Sequence, residues 1–270
     1  MRNRWWRFSS PNRRWIVSRE LFLIGIGAGD PDWMTIEASR AIQQLDVLFV
    51  VVKDGDLDDL VEARRVVVER HRTTPVQIVE LTDPPRPWRT APDYDRAVAR
   101  WRTQRLEQWS LAVGRSLRPG QVGGFLVWGD PSLYESTLAI AAQLVAAAPA
   151  DAPIRMRVLP GISSVLALAA RHQIPLNRQG RALQISPARL LRGVMPAGMD
   201  DVVVMLDGAQ TFAAIEPDGL DIYWGAYLGT ADEILVSGPL SSVRDEILRI
   251  RAEAAARKGW MFDTYLLRRR

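Results

Sequence analysis

Cysteine is absent from this 270-residue chain, and His71 and His172 are its only histidines. The first absence excludes disulfides, thiolate nucleophiles and Cys-built zinc sites, and it suits a reducing compartment. The second leaves too few imidazoles for a His-rich centre, so no metal is expected. Lysine is nearly as scarce: Lys53 and Lys258 stand among 33 arginines. No stretch reaches the roughly 20 apolar residues that cross a bilayer. The head MRNRWWRFSSPNRRWIV has neither the apolar core nor the small-residue cleavage site of a signal peptide. These absences together predict a soluble, cytoplasmic protein with no membrane partner.

Charge is distributed unevenly. Six arginines and no acid fall in residues 1–19, and Arg268, Arg269 and Arg270 end the chain. Without those nine charges the net +4 becomes −5 over residues 20–267. A nucleic-acid binder carries its basic residues on the fold itself, so no nucleic-acid partner is expected. Trp5, Trp6 and Trp15 among the arginines could form a membrane-surface patch. Residues 1–19 read better as a disordered extension outside the fold.

From Glu20 the pattern alternates short apolar runs with helical spacing. Strands are expected over Leu21–Ile26, Val47–Val52, Val76–Leu81, Gly124–Trp128 and Ile154–Leu159, the continuous apolar run Val47–Val52 being what a strand buried on both faces of a parallel sheet requires. Helices are expected over Trp33–Leu45, Asp56–His71, Tyr94–Leu117, Pro131–Ala148 and Ile162–Arg171, with Val98, Trp101, Leu106 and Trp109 on one apolar face of the third. Asp83-Pro84-Pro85-Arg86-Pro87 interrupts the pattern. Ile174 to Gly180 reads as a linker. Beyond it come strands near Leu183, Val202–Leu206, Ile222–Tyr227 and Ile234–Val236, a helix over Ser241–Arg257 and a last strand over Trp260–Leu267. The fold class is therefore α/β in two domains, 20–178 and 179–270, a mostly parallel sheet followed by a mixed one, with a cleft between.

Three strand-to-helix turns could carry chemistry. Gly25-Ile26-Gly27-Ala28-Gly29-Asp30-Pro31 approaches a dinucleotide fingerprint, but its sixth position is Asp30 rather than glycine. A carboxylate at a helix start caps the helix and repels phosphate, which argues against NAD and ATP. Gly129-Asp130-Pro131-Ser132-Leu133-Tyr134 follows a strand, and Asp130 could cap the next helix or sit beside a cationic ligand. Pro160-Gly161-Ile162-Ser163-Ser164 places two hydroxyls at a helix start, where a capping role is the simplest reading. Parallel α/β sheets bind ligands at the carboxyl ends of their strands, so all three turns lie at one rim.

In this order the three turns resemble the tetrapyrrole (corrin and sirohaem) methylase family, through LIGIGAGDPDWMT, GFLVWGDPSLYEST and LPGISSVLALAARHQIPLN. The resemblance runs from Leu21 to about Arg268. It implies a two-domain S-adenosylmethionine-dependent C-methyltransferase, a homodimer, acting on a small-molecule tetrapyrrole. VVVKDGDLDDLVEARR, the Arg/Trp content of the Tyr94–Trp109 segment, VWGDPSLYEST and KGWMFDTYLLRR resemble the branch that methylates ring carbon C-1 of precorrin-5 and releases acetate. Ser186-Pro187-Ala188-Arg189 departs from the Thr-Gly-Arg of similar enzymes, which bears on the loop geometry there.

The resemblance also implies roles. The cofactor is expected against Ala28, Gly129, Asp130, Pro131, Leu133, Tyr134, Ser163 and Ser164, and across the cleft against Met205, Leu206, Tyr227 and Leu228. Without the family, Met205 and Leu206 would read as core. Acetate release needs a water aimed at a carbonyl and a proton acceptor. Lys53 and Asp54, after the Val47–Val52 strand, are the candidates, with a solvated turn as the competing reading and Asp30 behind them. Arg86, Arg89, Arg178 and Arg189 are candidates for the carboxylates of the substrate. Three rival readings stand beside this one: a methylase of another precorrin or of uroporphyrinogen, a dinucleotide-dependent oxidoreductase, and a non-catalytic nucleoside-binding protein.

Overall fold

Leu21, Leu23 and Ile24 are 0% exposed and Phe22 1%, as in a strand covered on both faces. They lie in β1 (Arg19–Gly25) of the computed structural model, which describes residues 18–52, 58–84, 92–259 and 261–270. The strand is followed by α1 (Ile36–Gln43), β2 (Val47–Val52), α2 (Asp58–His71), β3 (Gln77–Thr82), α3 (Tyr94–Ser116), β4 (Val122–Val127), α4 (Thr137–Ala146), β5 (Ile154–Leu159) and α5 (Ser164–Arg171). Five strands form an all-parallel sheet in the order β3-β2-β4-β1-β5. The β1 side chains alternate between its two faces. Leu21 and Leu23 pack with Trp109 and Val113 of α3 and Ile140 of α4, while Phe22 and Ile24 pack with Ala38 and Ile42 of α1 and Val67 of α2. Each such side chain contributes about 1.5–3 kcal/mol by leaving water.

The second sheet is built from β6 (Leu183–Pro187), β7 (Asp201–Met205), β8 (Leu220–Ala226), β9 (Ile234–Pro239) and β10 (Asp263–Arg269), with α6 (Leu240–Lys258) between the last two. Its order is β6-β7-β10-β8-β9, parallel only between β6 and β7. The fold class is thus as the sequence predicts. Although α5 precedes the linker, it packs against β8 and β10 and so covers the second sheet. Among the described residues no helix is long and apolar enough to cross a membrane.

Several helix starts differ from expectation. Asp30 caps a short 3-10 turn (Pro31–Trp33), and α1 begins only at Ile36, with Thr35 Oγ1 accepting from Ala38 N–H at 3.0 Å. The helix expected from Pro131 begins at Thr137, because Tyr134 sits at φ +52°, outside the helical region. The buried face of α3 carries Ala97, Trp101, Arg105, Trp109 and Val113. Arg105 is held there by Asp83 at 2.6 Å and lies 4.4 and 4.7 Å from the centres of the Trp101 and Trp109 rings.

Candidate active site

The strand order sets the site. β1 lies between β4 and β5, and Gly25 is level with Val127, and Ile24 with Leu159. The three glycine-bearing turns therefore leave the sheet side by side and at one height. Main-chain contacts join them. Gly27 and Gly129 exchange two hydrogen bonds, at 3.2 and 2.8 Å. Gly161 is wedged against both neighbours: a Cβ built on it would lie 2.1 Å from the Gly129 carbonyl oxygen and 2.8 Å from the Gly25 carbonyl carbon.

Asp130 locks this arrangement. Its carboxylate accepts from Gly161 N–H at 2.9 Å, from Ser132 N–H at 2.8 Å and from the Ser132 hydroxyl. It therefore does not cap α4, which starts seven residues later; it ties the β4 turn to the β5 turn. Partial burial pushes its pKa up, but the donors from Ser132 and Gly161 outweigh this and hold it below the usual carboxylate value. The carboxylate stays charged at the rim.

Gly129 differs from Gly161 in what surrounds it. At φ +68° its Cα faces open space, with nothing within 4 Å of where a Cβ would stand. A ligand can approach the backbone there, beside the negative Asp130.

The second sheet supplies the opposing wall. Ala28, Leu228, Val165 and Leu168 form one apolar cluster with Val203 and Leu266, and Leu133, Met205 and Trp33 pack on it. Ala28 and Leu133 from the first rim thus meet Met205 and Leu228 from the second. Tyr134 donates its hydroxyl to Ile185 C=O at 3.0 Å, joining the β4 turn to β6. Gly229 fits against the backbone N of Asp30 and the Trp33 ring, each 2.9 Å from a Cβ placed on it. Trp128 and Phe262 approach across the same gap, with ring centroids 6.1 Å apart.

Among the described residues, three of the six non-glycine residues at positive φ are Tyr134 (+52°), Leu206 (+58°) and Tyr227 (+49°). All three carry expected cofactor contacts. Bulky side chains in this region cost about 1–3 kcal/mol each and persist where the surroundings over-determine them. Leu206 is 59% exposed at the end of β7, whereas Tyr227 and Leu228 are buried. Burial raises the pKa of Tyr227, which Lys258 and Arg257 partly offset.

Other expected residues have local roles. Ser163 caps α5, its hydroxyl accepting from Leu166 N–H at 3.5 Å, and Ser164 accepts from the Thr264 hydroxyl of β10 at 3.0 Å. Pro131 follows Asp130 beside Gly25, where its Cδ lies 2.9 Å from a Cβ built on that glycine. Asp30 accepts from Asp32 N–H at 2.8 Å and so caps the 3-10 turn. Arg178 is engaged at the far end of the second sheet: it pairs with Asp201, the first residue of β7, at 3.1 Å and donates to Arg269 C=O at 2.9 Å. A role for Arg178 toward the carboxylates of a substrate stays a proposal. Arg189 stands beyond β6 in a 3-10 turn (Ala188–Leu190) that follows Ser186-Pro187. Lys53, Asp54, Arg86 and Arg89 lie outside the described residues.

Sequence reading missed Asp207. Buried just after β7, it accepts from Thr211 N–H at 2.7 Å, from the Thr211 hydroxyl at 2.9 Å and from the Tyr265 hydroxyl at 2.7 Å, fixing the loop that begins at Leu206. An acid directly after an apolar strand, with a threonine four residues on, was the available signal.

Known proteins bear on this geometry. The family model of the tetrapyrrole (corrin/porphyrin) methylases matches residues 20–244. A Sinorhizobium protein named precorrin-6A synthase [deacetylating] is 41% identical over 93% of this chain and 95% of its own. The crystal structure of a putative cobalamin synthesis related protein, CobF, from Corynebacterium diphtheriae superposes with a TM-score of 0.79 at 29% identity, covering 93% of this chain and 99% of that one. Uroporphyrin-III C-methyl transferase from Thermus thermophilus, complexed with S-adenyl homocysteine, shares the fold at a TM-score of 0.54 and 16% identity, over 92% of this chain and 91% of its own. With the family model covering most of its length, the chain belongs to the tetrapyrrole methylases.

Proposed function

We infer that this chain is an S-adenosylmethionine-dependent C-methyltransferase of cobalamin biosynthesis, converting precorrin-5 to precorrin-6A with release of acetate. The observation that carries the reading is the trio of adjacent turns, joined through Gly27, Gly129, Asp130 and Gly161, whose open side lies at Gly129. The near full-length relative named precorrin-6A synthase supports the specific reaction.

S-adenosylmethionine supplies the methyl group already activated as a sulfonium, so alignment and exclusion of water are what the protein must add. In this reading Gly129 admits the donor against bare backbone, and Asp130 presents a fixed negative charge near it. Ala28, Leu133, Met205 and Leu228 keep water out. Leu206 and Tyr227 present backbone from the second rim in a conformation the loop imposes. Lys53 and Asp54 remain the proposed proton acceptors for the water that releases acetate. A homodimer and a cytoplasmic location complete the proposal, the former checked by light scattering on the purified chain.

The test is incubation with precorrin-5 and methyl-labelled cofactor. Labelled ring and free acetate in equal amounts are expected, and methylation without acetate would assign the chain to another precorrin. Calorimetry separates the remaining rivals: S-adenosylhomocysteine should bind, and NAD(P)H should not, because Asp30 stands where a phosphate would have to lie. Binding of the nicotinamide alone would remove the methylase reading.

A further inference from the structure

A second concavity opens on the second sheet, beside the donor turns. It encloses about 510 Å³ and is lined by Ala188, Arg189, Arg192, Gly193, Ala209, Gln210, Thr211, Ala213 and Ala214. Small side chains make its floor, and two guanidinium groups supply its charge. Neither Arg189 nor Arg192 has an acidic partner among the described residues, although most arginines of the second sheet are paired. A cation kept unpaired at a concave surface is suited to an anion from outside.

Two connections tie this concavity to the methyl-donor site. Arg189 lies near enough to Tyr134, on the β4 turn, to act electrostatically on its phenol. The loop that leaves β7 carries Leu206 at one end and Gln210 and Thr211 at the other, and Asp207 clamps it by bonding Thr211. Arg192 and Gln210 both stand at positive φ, +49° and +58°, so the lining is held in a strained form like that of the donor turns. Around it Leu190 and Val194 are 62% and 64% exposed, with Leu206 at 59%. Exposed aliphatic side chains beside unpaired arginines match a ligand with a flat apolar body and carboxylates at its edge.

We propose that this concavity is a subsite for one carboxylate side chain of the tetrapyrrole, gripped by Arg189 and Arg192, and that it sets the position of the ring relative to the methyl donor. Gln210 supplies a further polar group at its wall, and Thr211, held by Asp207, fixes the loop there. The inference rests on the methylase reading given above and adds Arg192 and Gln210 to the residues that select the substrate.

The experiment compares Arg189→Gln and Arg192→Asn with the unaltered chain, asparagine being chosen because it tolerates the left-handed backbone at that position. The KM for precorrin-5 should rise about tenfold or more in each, as expected when a charge-assisted hydrogen bond to a carboxylate is lost. The affinity for S-adenosylhomocysteine should stay within about twofold, and Arg192→Lys should recover part of the KM. An unchanged KM in both variants, with the unaltered chain methylating normally, would overturn the subsite and leave the methylase reading intact. An equal loss of S-adenosylhomocysteine affinity would overturn it too, since the effect would then be structural. If the unaltered chain does not methylate precorrin-5 at all, both readings fall.

Discussion

Gly129 and Gly161 face each other at the rim and make opposite demands on a substitution. Gly161→Ala would drive a methyl into the Gly129 carbonyl and the Gly25 backbone, neither of which can swing aside. We expect a stability loss on the order of 1–3 kcal/mol, together with loss of S-adenosylhomocysteine binding. A Cβ at Gly129 meets no atom within 4 Å, so the fold should survive Gly129→Leu with a left-handed penalty of about 1–2 kcal/mol, while the side chain fills the space the donor needs. Thermal unfolding and calorimetry on the two variants check this, and full affinity in Gly129→Leu would remove the turn from the site. At this scale the sequence was partly legible. The capping roles of Asp30 and Ser163 follow from residue type and local spacing. The actual bonds of Asp130, and the pairing of Arg178 with Asp201, join residues far apart in the chain, and no local pattern announces them.

α5 links the two sheets. Its N-terminus carries the Ser163-Ser164 turn beneath the β5 rim, and its apolar face packs on β8 and β10. Leu168 is 0% exposed and stands 2.8 Å from where a Cβ on Gly225 would lie, filling the groove that this glycine leaves in β8. Leu168→Ala should cost about 2–5 kcal/mol, read from urea denaturation, because neither sheet can close over the void. A loss under about 1 kcal/mol would mean that the helix is not the joint described. Strands were the most legible elements, since burial on both faces compels unbroken apolar runs such as Val47–Val52. Helix starts were displaced where a turn at the rim takes several residues before the helix begins, as between Pro131 and Thr137.

The whole molecule depends on how closely the two rims approach. Gly229 stands against Asp30 and Trp33, and Tyr134 reaches across to Ile185. Gly229→Val should force the loop after β8 away from the first turn. Hydrogen exchange should then rise at both loops while the strands of each sheet stay protected, and S-adenosylhomocysteine affinity should fall at least tenfold. Unchanged exchange at the Asp30 turn would show that the rims do not bear on each other there. The two-sheet architecture could be read from the alternation of elements, but the order β3-β2-β4-β1-β5 could not. That order decides which turns are neighbours, and it is set by pairings that no local spacing encodes.

The Gly27–Gly129 bonds and the seating of Gly161 are contacts of peptide with peptide. They owe nothing to side-chain identity beyond its omission at three positions. Exchanging the arginines and aliphatic residues at the concavity on the second sheet would therefore leave these contacts in place. An engineer seeking a new ring acceptor could vary Arg189 and Val194, and Arg192 among residues that tolerate its left-handed backbone, and keep the methyl-donor cradle as it is.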